Sequence, residues 1–252
     1  MSFFEVHDLA LAFGGVRALD GVGFAVERGQ VFAIIGPNGA GKTTVLNVVT
    51  RVFAPAAGRV LLEGVDLIAL PRHAIATAGV ARTFQNIELF EGATVLENLL
   101  VGRHRFDHGG ALGQMLQTRR ARRCEDASRE QVEAVIDLLD LAPYRNQRVA
   151  GLPYGVRKMV ELGRALATGP KLLLLDEPAS GLNPEETRDL AGWIDDIRHE
   201  LGITVVMIEH DMSLVTEVAD RVLAMNLGRG LAAGTPAEVQ SHPDVIAAYL
   251  GG

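Results

Sequence analysis

Gly36-Pro37-Asn38-Gly39-Ala40-Gly41-Lys42-Thr43-Thr44 fits the spacing G-x-x-x-x-G-K-[ST], with Gly36 and Gly41-Lys42-Thr43 at the defining positions. The run before it, Val31 to Ile35, is short and apolar and reads as a buried strand. The run after it, Thr43 to Val49, reads as the start of a helix. A strand, a glycine-rich turn and a helix in that order is the setting a phosphate loop needs. Glycines let the backbone curl so that successive N–H groups point at phosphate oxygens. The helix N-terminus adds its partial positive charge. In such a loop Lys42 reaches the β- and γ-phosphates and the Thr43 hydroxyl can ligate Mg²⁺. The alternative is a glycine-rich turn that binds nothing, and the flanking strand and helix speak against it.

Working outward, the chain has 252 residues, of which 48% are hydrophobic, ample for a buried core. A net charge of −7 denies it the basic footprint of a nucleic-acid binder. The single cysteine, Cys124, cannot form an internal disulfide, which fits a reducing compartment. The first residues, MSFFEVHDLALAF, lack the basic start of a signal peptide, and no run of 18 apolar residues is present to span a membrane. Mean hydropathy is nonetheless +0.18, consistent with a large core or with surface buried against partners.

Segments 4–11 and 22–27, split by Phe13-Gly14-Gly15, and the stretch Gly58 to Gly64 read as short strands, suggesting antiparallel sheet beside the nucleotide core. Residues 80–86 read as a strand ending in a polar tail at Gln85. Thr94 to Glu97 forms a capping box that opens a helix, and Ser128 to Gln131 reads as a second one. Val132, Val135, Ile136 and Leu139 then follow at helical spacing. Between them, residues 103–123 are rich in arginine. They read as a solvated face, or else as a surface for a partner or anionic lipid head groups. Residues 94–142 are therefore mainly helical, an inserted lobe. A helix is expected over 156–168, ended by Gly169-Pro170. Leu172 to Leu175 marks a strand covered on both faces, and Asp176-Glu177 stands at its C-terminal end, where open α/β sheets bind ligands. Asn183-Pro184-Glu185-Glu186 starts a helix whose buried stripe is read as Leu190, Ile194, Ile197 and Leu201. Ile203 to Ile208 is the next buried strand, followed by Glu209-His210-Asp211, and Val222 to Asn226 is one more. The remainder reads as a turn and short helices, including Pro243 to Leu250. Taken singly, Phe13, Gln85 and His210 have bland readings as a core aromatic, a surface amide and a structural histidine.

In order, these pieces resemble the ATP-binding subunit of an ABC transporter over nearly the whole chain. GPNGAGKTT matches the Walker A motif, LLLLDEP the Walker B motif with its following Glu, and ASGLNP the D-loop. Gln85 in RTFQN matches the Q-loop, His210 in MIEHD the switch histidine, and Phe13 the aromatic that stacks on adenine. FGGVRALDGV, RTFQNIELF, LLVGRH, EPASGLNPEET, IEHDM and HPDVIAAYLG look like the subfamily that powers uptake of branched-chain amino acids and related amides. One departure stands out. The signature LSGGQ aligns with Leu152-Pro153-Tyr154-Gly155-Val156, so the Ser hydroxyl and Gln amide are missing.

The resemblance implies an α/β fold, a P-loop NTPase (RecA-like) core with an N-terminal antiparallel β subdomain and an inserted helical subdomain. The expected layout is one domain over 1–252. Residues 1–90 and 158–235 form the core with its β subdomain, 91–157 the helical subdomain and 236–252 a C-terminal helical tail. It implies ATP and Mg²⁺ as ligands and an Mg²⁺-dependent ATPase coupled to transport. Phe13 and Gly36 to Thr44 would bind ATP, and Thr43, Gln85 and Asp176 would hold the metal. Glu177, His210 and Lys42 would be catalytic, and Leu152, Pro153, Tyr154 and Gly155 would act on a partner's ATP. Implied partners are a second ATP-binding subunit, identical or related, membrane permease subunits and, indirectly, a solute-binding protein, but no nucleic acid. The altered signature leans toward a related subunit. The implied location is the cytoplasmic face of the inner membrane, as a peripheral protein. An ABC ATPase of translation or DNA repair would need a second cassette or a long coiled coil, and a non-hydrolysing regulatory module would not need Glu177 and His210. No N-K-x-D motif points to GTP.

Overall fold

The structure is a computed structural model that describes residues 2–83, 87–104 and 119–250. The chain opens with strands β1 (Phe4–Phe13), β2 (Val16–Val26) and β3 (Val31–Ile35), helix α1 (Lys42–Val49), and strands β4 (Ala57–Leu62), β5 (Val65–Asp66) and β6 (Val80–Arg82). Helices α2 (Val95–Val101), α3 (Arg119–Leu138) and α4 (Tyr154–Ala167) follow. The last part runs β7 (Leu172–Asp176), α5 (Pro184–His199), β8 (Thr204–Ile208), α6 (Met212–Val218), β9 (Arg221–Asn226), β10 (Arg229–Gly234), α7 (Pro236–Gln240) and α8 (Pro243–Leu250).

Two compact units result, Met1–Arg82 with Lys171–Gly252, and Thr83–Pro170. The first holds two sheets. One is antiparallel, in the order β2-β1-β4-β5. The other has six strands in the order β10-β9-β3-β8-β7-β6, parallel except for β10. Every residue of β3, β7 and β8 is buried, as continuous apolar runs covered on both faces require. The β1–β2 hairpin turns on Gly14 and Gly15, both at positive φ, which suits a tight hairpin with right-twisted strands. One core is shared: Phe4, Leu9, Val60 and Leu62 of the antiparallel sheet cluster with Ile34, Leu174 and Val206 of the parallel one and with Val45, Leu46 and Val49 of α1.

The second unit is helical. α2 starts in the expected capping box, Thr94 with Glu97. It meets α4 closely: a Cβ at Gly102 would lie 2.5 Å from the Arg164 carbonyl oxygen. Asn98 of α2, fully buried, ties down Phe90 through its side-chain oxygen and amide.

Three expectations are corrected. Ser128 does not start a helix but lies buried inside α3, because the preceding Arg119–Ala127 segment is itself helical and propagation outweighs an internal cap. Leu201 is 45% exposed, since α5 ends at His199 and turns the chain away. β10 appears where a turn was expected. Its sequence, RGLAAG, is too small and glycine-rich to carry a strand pattern, and it forms by pairing along β9. The units divide at 82/83 and 170/171, so the whole of α4, which packs on α2 and α3, lies in the helical unit.

The glycines of the phosphate loop differ in what they tolerate. A Cβ on Gly36 would sit 2.2 Å from the Met225 carbonyl oxygen, whereas one on Gly39 meets nothing within 4 Å. Gly36→Ala is expected to cost about 3 kcal/mol or more, and Gly39→Ala, at positive φ in open space, about 1–2 kcal/mol. Urea unfolding of the two variants checks this, and equal costs would contradict the packing of the loop on β9.

Candidate nucleotide site

The register of the parallel sheet decides which residues meet. Ile208 of β8 pairs with Ile34 of β3 on one side and with Asp176 of β7 on the other. The chain segments leaving these strands, Gly36 onward, Glu177 onward and Glu209 onward, therefore emerge side by side at one edge of the sheet, where α/β sheets bind ligands.

The loop from Gly36 leads directly into α1. Gly41, at φ 97, caps the helix, so no side chain occupies the first-turn N–H groups, and no acidic residue stands there. Those donors and the helix dipole are presented to an anion. The Lys42 side chain is buried, and its ammonium donates to the carbonyls of Gly36 at 2.7 Å and Pro37 at 3.1 Å. Burial pulls its pKa below the ordinary lysine range, against Glu177 and Asp176, which pull the other way. An arriving phosphate would relieve that cost of burying a charge. Asn38, Gly39 and Thr43 are exposed along the loop, Pro37, Gly41 and Thr44 half-buried, and Ala40 buried.

The loop is braced from outside. Gly228 in the β9–β10 turn donates to the Ala40 carbonyl at 3.0 Å and accepts from the Asp20 N–H at 2.8 Å. A Cβ at Gly41 would lie 2.5 Å from the Ala18 carbonyl oxygen, so β2 also lies against it. Tyr249 of α8 reaches back to the backbone N–H of Gly36. Burial raises the pKa of its hydroxyl, and that N–H acts in the opposite sense.

Asp176 ends β7 and is buried. One carboxylate oxygen accepts from the Thr43 hydroxyl at 3.4 Å, and the other accepts from the Arg82 guanidinium at 2.6 Å. Arg82 also donates to the side-chain oxygens of Asn47 and Thr50 on α1, at 2.8 and 3.3 Å. A hydroxyl and a carboxylate thus converge beside the phosphate loop. They are hard oxygen donors, and among the described residues no cluster of three or more His, Cys, Asp or Glu forms a metal cage. This set fits Mg²⁺, which keeps waters and takes one or two protein oxygens together with substrate phosphates.

Glu177 follows at φ 50, a left-handed conformation that a non-glycine residue adopts at a cost of about 1–3 kcal/mol. Its N–H donates to the Ile208 carbonyl at 3.0 Å, which pins it to the end of β8. The His210 side chain, 60% exposed, stands just beyond the same strand. Phe13 ends β1 with its ring 45% exposed and packed edge-on against Phe53, ring centroids 5.0 Å apart. Gln85 lies outside the described residues.

In the helical unit, α4 begins at the altered signature. Leu152 and Gly155 are buried, Pro153 is exposed, and Tyr154 is 46% exposed. Pro153 caps the helix without a side-chain hydrogen bond, which leaves the first-turn donors to other acceptors. The segment before it is held by backbone bonds from Val149 to Ala93 and from Ala150 to Glu91.

Two residues escape a reading of the sequence. Arg82 closes the second oxygen of Asp176, and nothing in an isolated arginine announces it. Glu209 is wholly buried and accepts backbone N–H groups from both neighbouring segments. The available signal was a charged residue directly after an apolar strand that a parallel sheet must enclose.

A parallel sheet carrying a phosphate loop, with an acidic pair at the end of the next strand but one, defines a P-loop NTPase. The family profile of ABC transporters matches residues 19–180, and that of the branched-chain amino acid ATP-binding cassette transporters matches residues 231–252. The chain is 44% identical to the high-affinity branched-chain amino acid transport ATP-binding protein BraF of Pseudomonas aeruginosa, over 98% of this chain and 97% of the relative. It is 40% identical to the corresponding protein LivG of Escherichia coli K12, with the same coverage. The ADP conformation of MJ1267, an ATP-binding cassette of an ABC transporter, superimposes with a TM-score of 0.87 at 32% identity over the whole of both chains. The chain belongs to the ABC transporter family, as one of its ATP-binding cassettes.

Removing Arg82 would leave Asp176 buried without its cation. Arg82→Met is expected to cost about 3–5 kcal/mol, and adding Asp176→Asn should recover part of it. Chemical denaturation of the single and double variants reads both, and a stability loss under about 1 kcal/mol in the single variant would contradict the pairing.

Proposed function

We propose that this chain is the ATP-hydrolysing subunit of an importer for branched-chain amino acids or related amides, working against membrane permease subunits. The observation that carries the reading is the convergence of Lys42, Asp176, Glu177 and His210 on one sheet edge, in a chain so similar to transport ATP-binding proteins of that kind. No described helix is long and apolar enough to cross a membrane. Similarity to ATP-binding proteins of importers supports a peripheral place on the cytoplasmic face, with the solute path and its selectivity residing in the partners.

In this reading the loop amides and Lys42 bind the β- and γ-phosphates of ATP, Lys42 exchanging two loop carbonyls for phosphate oxygens. Phe13 stacks on the adenine. Thr43 and Asp176 would hold Mg²⁺, with Gln85, and the bound ion supplies neutralisation of the triphosphate charge. Glu177 orients the attacking water and takes its proton. The water oxygen bonds to the γ-phosphorus in line with the departing ADP oxygen. His210 contacts the γ-phosphate and reports its loss. Leu152 to Gly155, at the start of α4, serve the ATP of a second ATP-binding subunit, identical or related. That subunit's signature serves this one. The missing Ser and Gln favour a related partner.

Glu177→Gln keeps the shape and removes the base. The variant is expected to bind ATP normally while Mg²⁺-dependent turnover falls about a hundredfold or more, and uptake of branched-chain amino acids by the assembled transporter should stop. Turnover within twofold of the parent chain would remove Glu177 from this role.

A further inference from the structure

Glu209 sits between the two catalytic strand ends, and the mechanism above does not use it. Its side chain is 0% exposed. One carboxylate oxygen accepts the Ala179 N–H at 2.8 Å, two residues beyond Glu177. The other accepts the His210 N–H at 2.9 Å and the Asp211 N–H at 3.2 Å. Its own N–H donates to the Ile34 carbonyl of β3 at 3.3 Å, the strand that feeds the phosphate loop. One side chain thus joins the segment carrying Glu177 to the segment carrying His210, and its backbone joins both to the strand before Gly36.

The chemistry of the contacts selects a carboxylate. Every partner of the side chain is a donor, so acceptors are needed at both ends, and only a carboxylate offers them. A glutamine would present its NH₂ to a backbone N–H at one end or the other. An aspartate is one methylene short of spanning both segments. A fully buried charge is costly unless each end is satisfied by donors, as here. A core position with no demand at both ends would hold an apolar residue more cheaply.

We propose that Glu209 is a positioning residue that fixes the spacing between Glu177 and His210, so that the group activating water and the group sensing the γ-phosphate move as one. This rests on the ATP-hydrolysing role proposed above. Removing the clasp leaves the phosphate loop and its affinity for ATP in place and lets the two catalytic segments drift. A misplacement of about 1 Å costs a rate factor on the order of a hundred.

The test measures Mg²⁺-dependent ATP hydrolysis by the full chain assembled with its second ATP-binding subunit and permease subunits, with ATP binding and thermal unfolding of the purified chain in parallel. For Glu209→Gln we expect kcat to fall between about tenfold and a hundredfold, with KM for ATP within about twofold. Glu209→Asp should fall between Glu209→Gln and the parent chain. In the His210→Ala background, Glu209→Gln should cost about twofold or less, because the spacing it guards has lost one end. Unchanged kcat in Glu209→Gln, or losses that multiply with those of His210→Ala, would overturn the proposal. A fall in kcat that only tracks unfolding, or failure of both Glu209 variants to fold, would reassign Glu209 to a purely structural role and overturn it too. If the parent chain neither binds nor hydrolyses ATP, the proposed function itself fails, an outcome distinct from an active parent with an unaffected Glu209→Gln.

Discussion

Parallel pairing of β3 with β8 on one side and β9 on the other is the constraint on which the site depends. Each of the five residues of β3 is buried, so a slip by one residue would turn its side chains to the opposite faces of an enclosed sheet. With the register held, the chain must leave β3 at Gly36, beside the exits of β8 and, one strand further, β7. The loop then closes against β9, where only the missing side chain of Gly36 allows the Met225 carbonyl to approach. The edge that gathers the candidate site residues is thus a consequence of apolar packing several residues away.

The electrostatics follow from this rigid placement. Lys42, Asp176 and Glu209 are charged groups buried at or behind the edge. Each is compensated differently. Asp176 has a guanidinium on one oxygen and a hydroxyl on the other. Glu209 has backbone donors on both oxygens, with the His210 imidazole 3.9 Å from one of them. Lys42 has only carbonyl dipoles in direct contact, and burial disfavours its charge. In the proposed function that buried charge is the one that meets a phosphate. A site whose remaining charges are already satisfied can direct its electrostatic attraction at the incoming anion, with little reorganisation of its own.

Much of this was legible in the sequence because the decisive segments obey strong local rules. Leu172 to Leu175 could only be an enclosed strand, so Asp176 and Glu177 had to stand at its end. The capping box at Thr94 and the helix start at Asn183 form as read, since nothing upstream competes with them. The similar pattern at Ser128 failed because the residues before it propagate a helix through it. β10 was hidden because Gly230, Ala232, Ala233 and Gly234 have no strand preference to display. Arg82 and Glu209 were hidden for another reason. Their importance lies in partners up to 94 positions away, and no local spacing encodes a contact of that range.

The altered signature can be understood from the same physics. A helix N-terminus binds anions through its backbone N–H groups and dipole, and a serine at the cap adds one hydroxyl to that field. With Pro153 at the cap, the hydroxyl goes but the field stays. Proline suits the start of a helix, because the N–H it lacks would have no partner within the helix. Tyr154, half-exposed, then replaces the first glycine with a broad amphipathic surface. Anything docking on this end of α4 must accommodate a ring as well as an anion. An identical partner would meet that ring twice across a two-fold axis, whereas a related partner could meet it once and supply an unaltered signature in return. In the dimer proposed above, asymmetry between its two ATP sites is thus the arrangement in which a signature without the serine is least costly.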